Sequence, residues 1–82
     1  MYFVYVLKSK TAGKIYIGHT QNVSLRIEQH NRGSSKATKM LKDWELIYSE
    51  PFLTRTLAIS REKFFKTGRG KQVLKFKNVL KD

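Results

Sequence analysis

Residues 2–30, YFVYVLKSKTAGKIYIGHTQNVSLRIEQH, decide the fold of this 82-residue chain. The stretch predicts a strand, a turn containing Gly13, a second strand and then a helix. The first strand, Tyr2–Leu7, is rich in aromatic and β-branched residues, which suit a pleated sheet. Because this strand is apolar on both faces, we expect it to lie at the centre of a sheet and to be covered on both sides.

The second strand, Ile15–Gly18, is short and is expected to pair antiparallel with the first. Gly18 should close it, at a point where the backbone bends or allows a close approach. Thr20 or Asn22 can cap the helix that follows, and Gly33 is expected to end that helix in the left-handed conformation.

The middle of the chain predicts one more strand. Ser34–Lys42 is basic and polar, without a core pattern, and predicts a loop. Trp44–Glu50 then has the composition of a strand, and Pro51 is expected to end it. The residues expected to share one face of this strand are Trp44, Leu46 and Tyr48.

Two helices are predicted in the last third of the chain. Thr54 is a candidate N-cap for a helix that runs to about Thr67, where Gly68 and Gly70 should break it. The apolar side of a last helix is marked by Val73, Phe76 and Leu80. The order β-β-α-β-α-α predicts an α+β fold, a single domain over residues 1–82 with a three-stranded antiparallel sheet flanked by helices.

The charge of the chain indicates a polyanionic partner. Seventeen basic residues face six acidic ones, for a formal net charge of +11, and nucleic acid is the usual partner of so basic a domain. A basic domain without a specific ligand is the plainer alternative, and an anionic membrane surface is less favoured because no interfacial helix is apparent. With no cysteine in the sequence, disulfides and thiolate sites are excluded and a cytoplasmic location is expected. No signal peptide or membrane-spanning run is visible.

Four polar residues of the opening stretch are candidates for phosphate chemistry. Arg26 and His30 are four residues apart and therefore lie on one helix face; guanidinium suits a phosphate, and imidazole can move a proton near neutral pH. Tyr5 and Tyr16 lie on paired strands, where nearby cations are expected to lower a phenol pKa and help it orient or deprotonate water. Each residue taken singly also has a structural reading, as a surface arginine, a satisfied histidine or a strand tyrosine.

Glu62 is a candidate metal ligand in a chain with few acids. It lies at the edge of the apolar side of its helix, where it either forms an ion pair with Arg61, Lys63 or Lys66 or binds a cation. Mg²⁺ needs only one or two protein carboxylates, because water and substrate phosphate complete its octahedron. The residues alone thus indicate a nucleic-acid-binding α+β domain with the side chains to cleave phosphodiesters.

These residues resemble the GIY-YIG nuclease superfamily, in particular its small single-domain members, over essentially the whole chain. Phe3–Tyr5 stands at the first motif and Tyr16–Gly18 at the second. Gly18–Arg26 has the spacing of the glycine, the helix cap and the arginine, and His30 stands where His or Tyr is common. Ser60–Lys63 resembles the segment with the metal-binding glutamate. The resemblance extends to excision-repair nucleases and to homing endonuclease catalytic domains.

The resemblance implies a DNA endonuclease that uses Mg²⁺ or Mn²⁺, with a place in DNA repair or recombination. Tyr5 would position or deprotonate the attacking water, assisted by His30. Tyr16 would contact the scissile phosphate, and Arg26 would neutralise charge on the phosphoryl oxygens. Glu62 would hold the single divalent metal.

Substrate binding is assigned to a second set of residues. The resemblance implies that Gly18 lets substrate approach the backbone and that His19 lies at a position where relatives vary, often with Lys. From the charge pattern we expect Lys36, Lys39 and Lys42, with the C-terminal lysines, to contact backbone phosphates. A protein partner could also supply specificity.

Two departures from the family pattern stand in the sequence. Phe3 occupies the place of the first glycine of the family motif. For the asparagine that the family carries late in the chain, only Asn78 is available, and because its sequence spacing from Glu62 does not fit the family, it is not assigned. The alternative hypotheses are a nucleic-acid-binding module that kept the fold without catalysis and, on charge alone, an RNA-binding protein.

Overall fold

The computed structural model describes residues 1–33 and 40–80. Its elements in chain order are β1 (Tyr2–Ser9), β2 (Ile15–Thr20), α1 (Val23–Asn31), β3 (Trp44–Phe52), α2 (Arg55–Phe65) and α3 (Gly68–Phe76). The three strands form one antiparallel sheet in the order β2-β1-β3. The predicted α+β fold and the central position of the first strand are confirmed.

The two faces of β1 are covered by different helices. The main core contains side chains from β1, β2, α2 and α3, namely Val4, Val6, Ile17, Ala58, Phe65 and Leu74. Tyr5 and Leu7 alternate to the opposite face, where they form a smaller cluster with Trp44 against which Ile27 of α1 packs. The sheet therefore has α1 on one face and α2 on the other, with α3 packed on α2.

A β-bulge in β3 changes which of its side chains share a face. Neighbouring residues of β1 pair with Tyr48 and Leu46, which leaves Ile47 as an extra residue. Trp44 and Leu46 therefore lie on the α1 side, whereas Tyr48 packs against the main core on the α2 side. The expectation that these three residues share one face is wrong, because simple alternation cannot anticipate an inserted residue.

Two strands continue past the residues that were expected to end them. Pro51 pairs with Phe3, and β3 continues to Phe52. This is possible because β3 is an edge strand, where a proline can direct its missing N–H away from the ladder. Gly18 pairs with Tyr5, and β2 continues to Thr20.

The predicted ends of the first two helices are largely confirmed. Asn22 caps α1, its side-chain oxygen accepting a 3.0 Å hydrogen bond from the Leu25 N–H. Gly33 follows α1 with a φ of 78°, as expected for a left-handed residue that ends a helix. Thr54 caps α2 in the same way as Asn22 caps α1, with a 3.2 Å bond from the Leu57 N–H.

The last helix differs from its prediction. Gly68 and Gly70 lie inside α3, because Thr67 is the N-cap of a new helix that begins directly after it. The Thr67 side-chain oxygen accepts a 3.0 Å hydrogen bond from the Gly70 N–H. Phe76 is 90% exposed, so it does not belong to the buried side, which contains Gly70 and Leu74. The prediction of the apolar side was wrong here because it was counted from Val73 and did not include Leu74.

Asn78 ends α3. It has a φ of 62°, and its N–H donates to the Lys75 carbonyl at 2.9 Å while the Val79 N–H donates to the Leu74 carbonyl, also at 2.9 Å. This pair of bonds is the Schellman arrangement that satisfies the last carbonyls of a helix. No helix within residues 1–33 and 40–80 has the length and apolarity needed to span a membrane.

Candidate active site

The two strand tyrosines meet on the α1 face of the sheet. Tyr5 is on the central strand β1 and Tyr16 is on the neighbouring edge strand β2. Their ring centroids are 6.2 Å apart. Tyr5 is only 1% exposed, whereas Tyr16 is half-buried, so the two phenols lie at different depths in the same site.

His30 brings α1 into contact with both rings. Its Nε2 is 2.9 Å from the Tyr5 hydroxyl, and its ring centroid is 4.6 Å from that of Tyr16. The imidazole is fully buried at the last turn of α1. The hydrogen bond is therefore formed without competition from bulk water, and it fixes the phenol and the imidazole relative to each other.

Arg26 lies one helical turn before His30 and completes the group. Its Nη1 donates to Gln29 Oε1 at 3.1 Å. Burial tends to lower the pKa of Arg26, but interactions with the Tyr5 and Tyr16 phenols raise it overall. The predicted convergence of Tyr5, Tyr16, Arg26 and His30 is present in the structure, and we call these four residues the tyrosine–histidine group.

The protonation states of the group differ from the expectation. Burial raises the pKa of Tyr5 to about 12, and the opposing effect of Arg26 is smaller. Burial and repulsion from Arg26 lower the pKa of His30 to about 4. The expectation that nearby cations lower the phenol pKa is wrong for Tyr5, because desolvation outweighs the attraction of one guanidinium. At neutral pH the group holds a neutral phenol against a neutral imidazole.

Gly18 makes room for the Tyr5 phenol. A Cβ on Gly18 would lie 2.6 Å from the Tyr5 hydroxyl oxygen, 2.8 Å from its Cζ and 3.0 Å from Tyr16 Cε1. These distances are below van der Waals contact, so only glycine fits beneath the two rings. The predicted close approach at Gly18 thus has an internal cause in the structure, while its contact with substrate stays a prediction.

A second cluster lies on the other face of β2. His19 alternates with Gly18 and so points toward α2, where its Nδ1–H donates to Glu62 Oε1 at 2.7 Å. Lys66, one turn further along α2, donates to Glu62 Oε2 at 2.8 Å. Burial tends to raise the pKa of Glu62, but Lys66 and His19 hold it below its usual range. The carboxylate is therefore ionised and shared between two cationic or donor side chains, and the ion pair with Lys66 that the sequence left open is present.

The Glu62 cluster is compatible with one hydrated divalent cation. Within the described ranges, 1–33 and 40–80, no three His, Cys, Asp or Glu side chains come close enough to form an all-protein metal site. The Glu62 side chain is 17% exposed and that of Lys66 is 53% exposed, so Lys66 can turn into solvent and release Oε2. A single carboxylate with water and substrate oxygens suits Mg²⁺ or Mn²⁺. Glu62 would hold such an ion, and the ion would supply Lewis-acid stabilisation of charge on a phosphate.

The residues predicted to bind DNA backbone are only partly within the described structure. Lys42 is exposed just before β3. Lys36 and Lys39 lie outside the described residues. Lys71 was not singled out from the sequence, yet it lies with Tyr16 in the lining of one groove. The signal for Lys71 was only its membership of a basic C-terminal segment, which does not say which side of α3 faces the site.

A hairpin with two neighbouring tyrosines, a following helix with Arg and His, and a glutamate on a later helix define the class of GIY-YIG nuclease domains. The model of the family described as GIY-YIG catalytic domain matches residues 1–75, and the chain belongs to this family. The family consists generally of endonucleases that act on DNA with a divalent metal ion.

Similar proteins carry the name UPF0213 protein. Those of Staphylococcus aureus strains Mu50, N315 and MW2 are each 39% identical to this chain over 67 residues, which is 80% of this chain and 80% of each relative. Their names state neither a substrate nor a partner. No solved structure matches the chain.

Proposed function

We propose that this protein is a metal-dependent endonuclease that hydrolyses phosphodiester bonds of DNA at the tyrosine–histidine group. The observation that carries the proposal is the buried 2.9 Å hydrogen bond between the Tyr5 hydroxyl and His30 Nε2, beneath the less buried Tyr16 and Arg26. A tyrosine with a purely structural role needs only one hydrogen-bond partner for its hydroxyl. Here a second tyrosine and an arginine lie against the same pair, which is more than packing requires.

The different burial of the four residues supports a separate role for each pair. Arg26 and Tyr16 are partly exposed and are the members that reach the scissile phosphate. Arg26 presents its permanently charged fork to the phosphoryl oxygens, whose negative charge grows in the transition state. Tyr16 donates a hydrogen bond to the same phosphate, which orients it for in-line attack.

Tyr5 and His30 lie behind that pair and handle a proton. Neutral imidazole accepts a proton. The Tyr5 hydroxyl can therefore transfer its proton to His30 Nε2 through the existing hydrogen bond while the Tyr5 oxygen takes a proton from the attacking water. The low pKa of His30 keeps it in the accepting form at neutral pH. The high pKa of Tyr5 keeps a proton on the phenol, so the phenol acts as a relay and not as a standing phenolate.

Glu62 supplies the carboxylate for the metal from the opposite side of β2. Because β2 is an edge strand, a phosphodiester that passes this edge can meet Tyr16 on one face and Glu62 on the other. Electrostatic repulsion from Glu62 makes a small contribution to the raised pKa of Tyr5, which supports placing the two clusters in one site. His19 orients the Glu62 carboxylate.

The test is cleavage of linear, nicked, flapped and branched DNA with Mg²⁺ or Mn²⁺, since repair and recombination generate such structures. We expect wild-type protein to cut at least one of them, and Arg26→Ala to reduce the rate by about 10²–10³-fold, as for loss of one transition-state donor. Arg32→Ala is the matched control, because Arg32 is the C-cap residue of the same helix but is exposed, with its Nη1 4.0 Å from Glu28 Oε1. It should cut within a few-fold of wild type.

Glu62→Gln provides the metal test. It should abolish metal-dependent cleavage, whereas Glu45→Gln, at an exposed carboxylate near Lys10, should not. If wild-type protein cuts none of the substrates while salt-sensitive DNA binding persists, the protein is a nucleic-acid-binding module that kept the fold. If Arg26→Ala and Arg32→Ala cut equally well, the tyrosine–histidine group is not the catalytic site.

A further inference from the structure

A basic groove runs along the exposed edge of the sheet beside Tyr16. β2 is the edge strand on this side. A depression of about 250 Å³ next to it is lined by Ile15, Tyr16, Ile17, Lys66 and Lys71. Lys66 is the residue that binds the Glu62 carboxylate, so one end of this depression opens at the proposed metal ligand.

The depression continues toward the hairpin turn. A second depression of about 330 Å³ shares Ile15 and Lys71 with the first, and Lys8 and Lys75 also line it. Because the two depressions share Ile15 and Lys71, they form one continuous path. We name this path the edge groove and define it by its four cations, Lys8, Lys66, Lys71 and Lys75.

The lining of the edge groove contains lysine but no acidic residue. Among its four cations, Lys66 is paired with Glu62, as Lys10 outside the groove is with Glu45 and Arg61 with Glu50. Lys8 and Lys71 form no ion pair with any acidic side chain of residues 1–33 and 40–80. Uncompensated positive charge beside a phosphate site indicates an anionic occupant.

The spacing of the cations suits a polymer of phosphates. Lys71 and Lys75 are one turn apart on α3, about 6 Å along the helix axis. Both side chains line the same depression, so two lysines at this spacing can contact phosphates of the same DNA strand. Ile15 lines both depressions and Ile17 lines the first, and neither side chain offers a competing charge.

We propose that the edge groove holds the backbone of the strand being cut, on one side of the scissile phosphate, and leads that strand to Tyr16 and Glu62. The inference rests on the proposed nuclease function, since it takes the tyrosine–histidine group as the place of cleavage. It assigns substrate binding to Lys8 and Lys71, which lie on the opposite side of Tyr16 from α1. The occupant is a phosphodiester backbone, because the lining offers charge and no base-reading pattern.

The test measures DNA binding without cleavage. Lys8→Gln, Lys71→Gln and the double variant are titrated with a fluorescent single-stranded oligonucleotide in EDTA, by anisotropy, at several salt concentrations. Each variant should lower the slope of log K against log salt by about 0.7, the value for one phosphate contact on a single strand, and the double variant by about twice that. Lys63→Gln is the matched control, because Lys63 is exposed on α2 and outside the edge groove.

The outcomes separate this proposal from the nuclease assignment. A reduced slope for the groove variants but not for Lys63→Gln supports the edge groove, even if wild-type protein cuts no substrate. Equal slopes for all variants, or equal loss in Lys63→Gln and Lys71→Gln, overturn the edge groove, even if wild-type protein cleaves. Thermal unfolding of each variant confirms that the charge was removed from a folded protein.

Discussion

Replacing Gly18 by alanine tests how the core and the site are joined. The new Cβ would lie 2.6 Å from the Tyr5 hydroxyl oxygen and 3.0 Å from Tyr16 Cε1. To restore ordinary contact, the phenol must retreat by close to an ångström. Its hydrogen bond to His30 is 2.9 Å long, and a displacement of that size can break it or turn it out of line.

The cost should appear separately in stability and in activity. Overpacking of this kind costs about 1–3 kcal/mol, which for a domain of this size lowers Tm by about 4–8 °C per kcal/mol. A misplacement of about 1 Å in a catalytic group costs about 10²-fold in rate. We therefore expect Gly18→Ala to remain folded at room temperature and to cut DNA about a hundred times more slowly, although it keeps every polar residue of the group.

Gly18→Ala is compared with two other variants, by thermal unfolding and by single-turnover cleavage. Tyr5→Phe removes the hydroxyl without moving the ring and should match Gly18→Ala in rate. Gly68→Ala adds a Cβ where no atom lies within 4 Å and should leave both Tm and rate almost unchanged. A Gly18→Ala protein with the Tm and the cleavage rate of wild type would refute the packing argument.

Further predictions concern α3 and the pH range of stability. A Cβ on Gly70 would lie 1.9 Å from the Phe64 carbonyl oxygen and 2.6 Å from Phe65 Cα, so Gly70→Ala must move the backbone of α2 and should cost about 3 kcal/mol or more. Chemical denaturation checks this, with Gly68→Ala as the tolerated change in the same helix. The pKa of His30 is lowered from 6.5 to about 4, so the unfolded chain binds the proton more readily, and stability should be full above about pH 6.5 and fall by up to roughly 3 kcal/mol as the pH approaches 4. Denaturation at a series of pH values measures that slope, which His30→Gln should lose between pH 6.5 and 5. A wild-type protein equally stable at pH 7 and pH 4.5 would contradict the buried neutral imidazole.

The order of elements and the convergence of the site follow from local patterns in the sequence. Tyr2–Leu7 is rich in aromatic and β-branched residues, which favour a buried strand. The i, i+4 spacing of Arg26 and His30 places both on one face of a helix. Pairing Tyr5 with Gly18 across the hairpin then brings the helix and both tyrosines together. These steps use short distances along the chain, where periodicity is informative.

The missed features depend on contacts between distant parts of the chain. The bulge at Ile47 is set by the pairing of β3 with β1 and has no local marker. Gly70 lies at a close contact between α3 and α2, whereas glycine in a helical sequence pattern ordinarily predicts a break in the helix. The pKa of Tyr5 depends on how much water the fold excludes, and the sequence shows the nearby charge of Arg26 without showing the burial that outweighs it.

The two halves of the site are supplied by consecutive residues of one strand. Gly18 supports the tyrosines on one face of β2, and His19 holds Glu62 on the other. A shift of the hairpin register by one residue would exchange these faces, placing an imidazole beneath Tyr5 and a glycine against Glu62. The proposed nuclease activity would thus also be a measure of hairpin register. An activity assay would then report on correct strand pairing even where the content of secondary structure stays the same.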